Sequence, residues 1–330
     1  MQDPSSPAVA AAAIADVTTV IAAVVVTRDR PQLLLQVLQA LHAQQRRPDR
    51  VILVDNASGA ATHVALAGFT GMPLELVRSD VNLGGAGGFA LGMRHALAGE
   101  CDWLWLLDDD AVPRPDVLAL LAGALAGPAA GAGAVAPAVR EFGAPAPAHR
   151  RRYSLWSGLE WSLGPSHYAS ACAALDTASF VGLLVAARAA VPAGFPDSEL
   201  FLSYDDTEYC LRLRRAGWPL WLVPAAVIDH LRAPQARLRA GPIGPRHYFN
   251  LRNRIVVARR HARLPRLAGG VATITGLLLW LGCRGRFGRG AGRIALRALA
   301  DGWAGRLGGY PVMLQDPAAL LHTPADGQPR

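Results

Sequence analysis

Three consecutive carboxylates, Asp108–Asp110, directly follow the apolar run Trp103–Leu107. Alternate residues of a strand point to the same side, so Asp108 and Asp110 could approach one divalent cation, which would bridge them to a diphosphate. The alternative is a solvated acidic turn that caps the next helix. Because unpaired buried carboxylates are costly, the apolar strand before the triplet favours the metal site.

Polar residues follow three other apolar runs in the same way. They are Thr27–Asp29, Asp55–Ser58 and Asn82–Phe89. Ligands of open α/β sheets bind beyond the carboxyl ends of the strands, so the four clusters would converge on one crevice. The segment NLGGAGGF allows close backbone approach to a phosphate, or forms a flexible turn. It does not fit the spacing GxGxxG, which disfavours a dinucleotide-binding dehydrogenase.

A second acidic set, Asp205, Asp206 and Glu208, lies at the start of a predicted helix. The helix dipole alone would explain carboxylates there, and the functional alternative is a general base that takes a proton from an acceptor hydroxyl. His230 could complete a Mn²⁺ or Mg²⁺ shell with the aspartate triplet, although a lone histidine is more often structural.

These residues need a fold that brings strand ends together. Apolar runs alternate with helical patterns, which predicts an α/β fold with a doubly wound, mainly parallel sheet. The predicted strands are Val20–Val26, Val51–Val54, Leu74–Val77, Trp103–Leu107, Gly133–Val139, Ser179–Ala187 and Leu220–Val223. The predicted helices are Leu33–Ala43 after Pro31, Ala86–Ala98, Pro115–Leu125 and Asp205–Ala216.

Charge divides the 330 residues unevenly. Residues 1–235 hold 17 arginines against 22 Asp and Glu, whereas residues 236–330 hold 16 arginines against three aspartates, and lysine is absent throughout. We therefore predict an N-terminal extension over 1–17, a catalytic domain over 18–235 and a basic helical region over 236–330. The 17 uncharged residues Leu267–Cys283 predict a helix at a membrane interface, a short span or a core helix.

The motifs in this order resemble glycosyltransferase family 2. They are VVVTRDRPQLL, VILVDNAS, NLGGAGGF, WLWLLDDD, SFVGLLVAARA and YDDTEYCLRLRRAGW. The resemblance implies a GT-A fold and an inverting transferase. With HYFNLRNRIVVARR, the chain is more narrowly similar to actinobacterial galactofuranosyltransferases that initiate cell-wall galactan. These use UDP-galactofuranose and a polyprenyl-diphosphate-linked rhamnosyl acceptor.

The resemblance also implies roles for individual residues. The metal ligands would be Asp108, Asp110 and His230, and the base would be Asp206, supported by Asp205 and Glu208. The donor would be bound by Thr27, Arg28, Asp55, Asn82, Gly84, Gly85, Gly87, Gly88 and Asp109. The acceptor or its diphosphate would meet Tyr204, Trp218, Arg252 and Arg254.

The charge of the basic region suits an anionic membrane surface, and the alternative is that its arginines are ordinary solvated residues of helix faces. We therefore expect a peripheral protein on the cytoplasmic face of the plasma membrane. A dTDP-rhamnose-dependent rhamnosyltransferase is one alternative, and a non-catalytic protein that binds a nucleotide sugar or a membrane is another. Nucleic acid is not expected as a partner, because RNA-type aromatic motifs are absent and the basic part adjoins an apolar helix.

Overall fold

The computed structural model describes residues 19–233, 238–240, 243–282 and 290–310. The chain forms two compact units. The first consists of Met1–Tyr153, Glu160–Ser198 and Asp205–Arg232, and the second of Ser154–Leu159, Glu199–Tyr204 and Ala233–Arg330. Charge alone did not predict that two short segments from the earlier part of the chain join the second unit. The predicted extension 1–17 lies outside the described residues.

The first unit is built on a mixed ten-stranded sheet with a parallel centre. The parallel strands are β1 (Ile21–Thr27), β2 (Arg50–Asn56), β3 (Glu75–Ser79) and β4 (Trp103–Asp108), in the spatial order β4-β1-β2-β3. Every residue of β1 is buried, as expected of a continuous apolar strand inside a parallel sheet. The predicted mainly parallel α/β sheet is thus confirmed.

The other side of the sheet contains antiparallel pairs. Its strands are β5 (Ala111–Pro113), β6 (Ala134–Glu141), β7 (Ala144–Pro145), β10 (Ala173–Leu175), β12 (Leu183–Ala186) and β13 (Leu220–His230). Strand β12 is antiparallel to β4 and β6, and β13 is parallel to β6. A separate small sheet contains β8 (Arg150–Tyr153), β9 (Glu160–Ser162) and β11 (Thr177–Ala178).

Strand β13 is longer than the predicted strand Leu220–Val223. A shift of register between Val223 and Val227 accommodates Pro224, which cannot donate to a sheet partner, and pairing then continues to His230. This extension carries His230 from the middle of the sheet toward β5, where it pairs with Ala111.

Helices of the first unit follow the strands. They are α1 (Pro31–His42), α2 (Ala60–Ala67), α3 (Gly84–Ala98), α4 (Val117–Leu125), α5 (Pro165–Tyr168), α6 (Ala187–Ala193) and α7 (Asp205–Arg215). Glycines let α3 approach β1 closely. A Cβ atom at Gly92 would lie 2.4 Å from Val24 Cγ1, and one at Gly88 would lie 2.6 Å from Val26 Cγ1.

The second unit has its own core, formed by α8 (Pro245–His261), α9 (Pro265–Leu281) and α10 (Ala291–Ala304). Large buried side chains such as Tyr248, Phe249 and Trp280 fill this core. Helix α9 corresponds to the predicted apolar helix Leu267–Cys283, but it begins at Pro265 and ends at Leu281. Cys283 lies outside the described residues. Among the described residues, no helix combines the length and apolar character needed to cross a membrane.

Candidate active site

The carboxyl ends of three neighbouring strands meet at one edge of the sheet. In the register of the pairs, Thr27 at the end of β1 lies opposite Asp55 of β2, and Val26 lies opposite Asp108 of β4. Three of the four predicted polar clusters therefore lie side by side, and the fourth begins after β3, which pairs with β2. The parallel sheet explains this convergence, because its strands all end at the same edge.

The aspartate triplet turns the chain from β4 into β5 beside the end of β13. Backbone pairing of His230 with Ala111, and a hydrogen bond from Leu231 N to Asp110 O, hold these segments together. His230 Nε2 lies 3.1 Å from Asp110 Oδ1. One ligand atom each from Asp108, Asp110 and His230 falls within 4.8 Å of the others.

This donor set fits a divalent metal. Two carboxylates and one imidazole nitrogen are ligands that Mn²⁺ accepts, and carboxylates suit Mg²⁺. Burial raises the pKa of Asp108 to about 7, with the nearby Asp110 adding to the effect. Two acidic groups crowded into a partly buried pocket repel each other, and a cation would relieve that repulsion.

His230 is buried between two carboxylates. Burial lowers its pKa, but hydrogen bonds with Asp110 and Glu141 outweigh burial and raise the pKa to about 9. Burial also opposes ionisation of Asp110, yet the hydrogen bond with His230 and its charge hold the pKa of that carboxyl below its usual value. The pair therefore keeps Asp110 ionised.

Asp109 lies between the two proposed metal ligands in the sequence, and its carboxylate hydrogen-bonds to residues that follow β1. Its Oδ2 atom accepts hydrogen bonds from Thr27 Oγ1 at 2.9 Å and from Arg28 N at 3.3 Å. Arg30 Nη1 lies 3.0 Å from Asp109 Oδ1 and 2.9 Å from Asp110 Oδ2. Both Asp109 oxygens thus bind the β1–α1 connection, which carries the predicted donor residues Thr27 and Arg28.

The predicted donor residues on β2 and before α3 form a connected set. Asp55 Oδ1 accepts from Ser58 N at 2.9 Å, and His63 Nε2 lies 2.8 Å from Asp55 Oδ2. Burial opposes ionisation of Asp55, but these hydrogen bonds lower its pKa below the usual value. An ionised carboxylate fixed in this way could accept hydrogen bonds from a ribose or a base.

Two asparagines hold the start of α3. Asn56 Nδ2 donates to Gly84 O at 2.9 Å, and Leu83 N donates to Asn56 Oδ1 at 2.8 Å. Asn82 Oδ1 accepts from Gly84 N at 2.9 Å. Gly84 has a φ of 71°, a backbone conformation that favours glycine.

The glycines of NLGGAGGF have different surroundings. A Cβ atom at Gly85 would meet only Asp205 Oδ2, at 3.9 Å, so this glycine lies beside the second acidic set. A Cβ atom at Gly87 would lie 2.7 Å from Leu83 Cβ, and Gly88 packs against Val26. Gly87 and Gly88 are therefore required by packing, whereas Gly85 has space beside the second acidic set, and the predicted donor contacts of these glycines stay predictions.

The two aspartates at the start of α7 differ in exposure. Asp205 is buried, whereas Asp206 is half-buried and accepts from Thr207 N at 2.6 Å and from Thr207 Oγ1 at 3.1 Å. Burial raises the pKa of Asp205 well above its usual value, and the charges of Asp206 and Asp108 add to this effect. Burial also raises the pKa of Asp206, although Arg151 opposes this change.

Glu208, the third acidic residue of α7, is buried and ion-paired within its own helix. Arg212 Nε lies 2.9 and 2.8 Å from its two carboxylate oxygens. Arg212 also donates to Phe195 O at 2.7 Å, so the pair anchors α7 to the preceding loop. The predicted role of Glu208 in supporting the base stays a prediction.

Two predicted acceptor residues, Trp218 and Arg252, do not lie beside the acidic residues at the carboxyl ends of the strands. Trp218 precedes the amino end of β13, where its Cβ atom would collide with a side chain at Gly133, just before β6. The aspartate triplet lies at the carboxyl end of β4, so Trp218 is at the opposite edge of the sheet. Its predicted acceptor contact is therefore not supported by the fold.

Arg252 of the second unit is fully buried. Its guanidinium donates to Leu200 O at 2.9 Å, to Gly308 O at 2.7 Å and to Asn253 Oδ1 at 2.7 Å. Arg252 thus stabilises the segment before α7, in place of the predicted contact with a diphosphate. In the same unit, the guanidinium of Arg254 lies 5.2 Å from the centre of the Tyr204 ring, so two other predicted acceptor residues do come together.

Comparison with known proteins agrees with this geometry. A family model described as glycosyltransferase-like family 2 matches residues 18–258. The chain belongs to this family. It is therefore a transferase enzyme whose sheet, helices and acidic strand ends are those of a family 2 glycosyltransferase.

Two relatives are galactofuranosyltransferases named GlfT1. The chain is 36% identical over 209 residues to GlfT1 of Mycolicibacterium smegmatis, covering 61% of this chain and 68% of the relative. It is 36% identical over 203 residues to GlfT1 of Mycobacterium tuberculosis, covering 60% of this chain and 65% of the relative. The match thus spans about two thirds of each relative.

Solved structures share the fold at low identity. A mannosyltransferase of Pyrobaculum calidifontis in complex with GDP-Man and Mn²⁺ has a TM-score of 0.56 at 19% identity, covering 92% of this chain and 78% of that one. GalNAc-T7 with UDP, GalNAc and Mn²⁺ has a TM-score of 0.57 at 13% identity, covering 73% and 47%. Both are GT-A glycosyltransferases, which agrees with the predicted fold class.

Sequence reasoning missed two residues of the site. Arg30 binds both Asp109 and Asp110, and Glu141 lies 2.9 Å from His230 Nδ1. The signal for Arg30 was its place at the end of the first strand, directly after Thr27-Arg28-Asp29. Glu141 ends β6 and gives no signal in the sequence alone, because the contact depends on the unpredicted length of β13.

Proposed function

We propose that the chain is an inverting, metal-dependent glycosyltransferase that transfers galactofuranose from UDP-galactofuranose to a polyprenyl-diphosphate-linked rhamnosyl glycan. The observation that carries this proposal is the grouping of Asp108, Asp110 and His230 close to the acidic pair Asp205–Asp206. The identity to two galactofuranosyltransferases supports the choice of donor.

Residues of the chain supply the proton transfer. Asp206 takes the proton of the acceptor hydroxyl as its oxygen bonds to the anomeric carbon, and the bond from that carbon to UDP breaks on the opposite face. A divalent metal held by Asp108, Asp110 and His230 supplies positive charge to the leaving diphosphate when bound. Attack opposite the leaving group inverts the anomeric configuration.

Asp206 suits the role of base better than Asp205. Asp206 is partly exposed and can meet a hydroxyl, whereas Asp205 is buried beside Gly85. Thr207 donates two hydrogen bonds to one oxygen of Asp206, which leaves the other oxygen to accept a proton. Arg151 Nη2 in turn donates to Thr207 Oγ1 at 2.8 Å, so the hydroxyl is oriented toward Asp206.

One experiment tests both the reaction and the donor. The purified protein is incubated with Mn²⁺, UDP-galactofuranose and a synthetic rhamnosyl lipid diphosphate, and the products are weighed by mass spectrometry. We expect a gain of one or more hexose masses that depends on Mn²⁺ and is lost in Asp206→Asn. A product with dTDP-rhamnose alone would establish the rhamnosyltransferase alternative. Absence of transfer with every nucleotide sugar would favour the non-catalytic alternative.

We further propose that the second unit binds an anionic membrane surface on the cytoplasmic side, where the lipid-linked acceptor resides. Four apolar side chains of α9 are between 53% and 68% exposed. They are Leu267, Ile274, Leu278 and Leu281, spaced so that all four lie along one side of the helix. Trp156, also exposed, stacks against Arg263 before the helix, a pairing suited to a membrane interface.

The membrane proposal is tested on the full chain with vesicles containing phosphatidylglycerol. The variant Ile274→Ser with Leu278→Ser removes two exposed aliphatic side chains and should cost about 2 kcal/mol of partitioning, roughly a thirtyfold loss. Val64→Ser is the control, because Val64 is 73% exposed on α2 of the first unit. Equal loss in the control, or no loss in the α9 variant, would refute the proposal.

A further inference from the structure

Glu141 lies on the far side of His230 from the aspartate triplet. His230 Nε2 is 3.1 Å from Asp110 Oδ1, and His230 Nδ1 is 2.9 Å from Glu141 Oε1. The imidazole is 8% exposed and the Glu141 carboxylate 10% exposed, so both are shielded from water. The two ring nitrogens thus face different partners in an enclosed place.

The Glu141 carboxylate is itself held by other side chains. His149 Nε2 lies 3.1 Å from Glu141 Oε1, and Arg232 Nη1 lies 3.3 Å from the same atom. His149 Nδ1 lies 2.8 Å from Ser179 Oγ, which fixes the second ring. The two imidazoles meet edge to face with centroids 5.2 Å apart. Glu141 therefore has little freedom to turn away from His230.

This arrangement decides which nitrogen of His230 is available. To bind a cation, His230 must give up one ring proton, and the Glu141 carboxylate at Nδ1 keeps the remaining proton on that nitrogen. The lone pair is then on Nε2, the nitrogen that faces Asp110. Histidines that bind metals commonly donate their other N–H group to a carboxylate, which fixes the ring and increases its basicity. Nε2 is the nitrogen on the side of Asp108 and Asp110.

We propose that Glu141 is a positioning residue of the metal centre, which fixes the tautomer and orientation of His230 so that Nε2 binds the divalent cation. This inference rests on the proposed metal-dependent function. It assigns Glu141 no contact with substrate, and it places His149 and Arg232 as residues that hold Glu141 in turn.

A second grouping of possible ligands, Glu141, His149 and His230, has similar spacing. It is the weaker candidate for the cation, because Glu141 Oε1 already lies within hydrogen-bond distance of His149, His230 and Arg232. In the second grouping the cation would bind His230 Nδ1, and Nε2 would stay hydrogen-bonded to Asp110. Mn²⁺ binding by His149→Gln and His230→Gln distinguishes the two arrangements.

The test measures Mn²⁺ binding without donor or acceptor, from the electron paramagnetic resonance signal of free Mn²⁺. Glu141→Ala should weaken binding by about 10- to 100-fold, the range found when partners of metal ligands are removed. Glu141→Gln keeps an oxygen acceptor for Nδ1–H but not the charge, so its Mn²⁺ affinity should lie between those of wild type and Glu141→Ala. The electron spin echo envelope modulation of bound Mn²⁺, which reports a coordinated imidazole nitrogen, should also change in Glu141→Ala.

Glu75→Gln is the matched control. Glu75 also binds an arginine and a histidine, with Arg50 Nε at 2.7 Å and His95 Nε2 at 3.1 Å, but it belongs to β3. A merely structural role for Glu141 would lower thermal stability in both variants and leave Mn²⁺ affinity unchanged. Wild-type Mn²⁺ affinity in Glu141→Gln and Glu141→Ala would overturn the inference.

Three further variants separate this inference from the proposed function and from the second grouping. If Asp110→Ala leaves Mn²⁺ binding unchanged, the metal centre itself is refuted, and the role of Glu141 falls with it. If Asp110→Ala weakens binding while the Glu141 variants do not, only the positioning role is refuted. Loss of Mn²⁺ binding in His149→Gln equal to that in His230→Gln would assign the cation to the second grouping and overturn the proposal.

Discussion

Replacing Asp206 by asparagine tests the proposed base with little disturbance of the fold. Asparagine has nearly the same shape, and its Oδ1 atom can still accept the hydrogen bonds from Thr207 N and Thr207 Oγ1. What is lost is the lone pair that takes the acceptor proton. General base catalysis contributes about 10²- to 10⁴-fold, or about 3–5 kcal/mol of activation free energy.

The assay is transfer to the synthetic lipid acceptor under saturating donor. We expect kcat to fall by about 10²- to 10⁴-fold in Asp206→Asn while binding of UDP in the presence of Mn²⁺ stays unchanged. A parallel loss of UDP binding would indicate damage to the donor site instead. Turnover within about tenfold of wild type would refute the assignment of Asp206 as the base.

The pH profile gives a second measure of the same residue. Burial raises the pKa of Asp206 despite Arg151, and the base acts only when deprotonated, so kcat should rise with pH through this raised pKa and level off above it. Thr207→Val removes a hydroxyl that donates to Asp206 Oδ1 and should move this acidic limb to higher pH. The limb should be absent from the residual activity of Asp206→Asn, and its persistence there would contradict the reasoning.

Three shorter predictions concern metal, packing and acceptor. Asp110→Ala should weaken Mn²⁺-dependent binding of the donor, measured by calorimetry, and unchanged Mn²⁺ dependence would count against the site. Gly92→Ala should lower the free energy of unfolding in urea by about 1–3 kcal/mol, because its Cβ atom would lie 2.4 Å from Val24 Cγ1, whereas Gly123→Ala in α4, with open space around it, should raise stability by up to about 1 kcal/mol. Trp218→Ala should leave the acceptor KM within about twofold of wild type, since Trp218 lies at the opposite edge of the sheet.

The sequence allowed the central part of the site to be predicted because a parallel sheet converts order along the chain into proximity. Thr27 and Asp108 end β1 and β4, Asp55 lies one residue before the end of β2, and the fold brings those ends to one edge. Hydrophobic runs mark the strands, and the polar residues after them mark the edge. No knowledge of side-chain packing was needed for that step.

Other parts of the site depend on side-chain contacts in space, which the hydrophobic periodicity of the sequence does not predict. The resemblance implied that Arg252 meets the acceptor or its diphosphate, but backbone carbonyls at Leu200 and Gly308 provide a buried place for its guanidinium. The resemblance assigned four glycines to the donor, and the close approach of Leu83 to Gly87 and of Val26 to Gly88 gives two of them a packing role as well. Arginine and glycine can each serve either ligand binding or internal packing, and only the neighbouring residues in the fold distinguish the two roles.

The acidic triplet shows how this ambiguity is resolved within three adjacent residues. Asp109 binds Thr27 and the backbone of Arg28, so it joins β4 to the end of β1. Burial raises its pKa to about 6, against the opposing charge of Arg30. Because Arg30 also reaches Asp110, any movement of the β1–α1 connection would change the charge around a metal ligand. The proposed donor-binding segment after β1 and the proposed metal centre are therefore electrostatically coupled, and Arg30→Gln should alter Mn²⁺ affinity without removing any of the three proposed ligands.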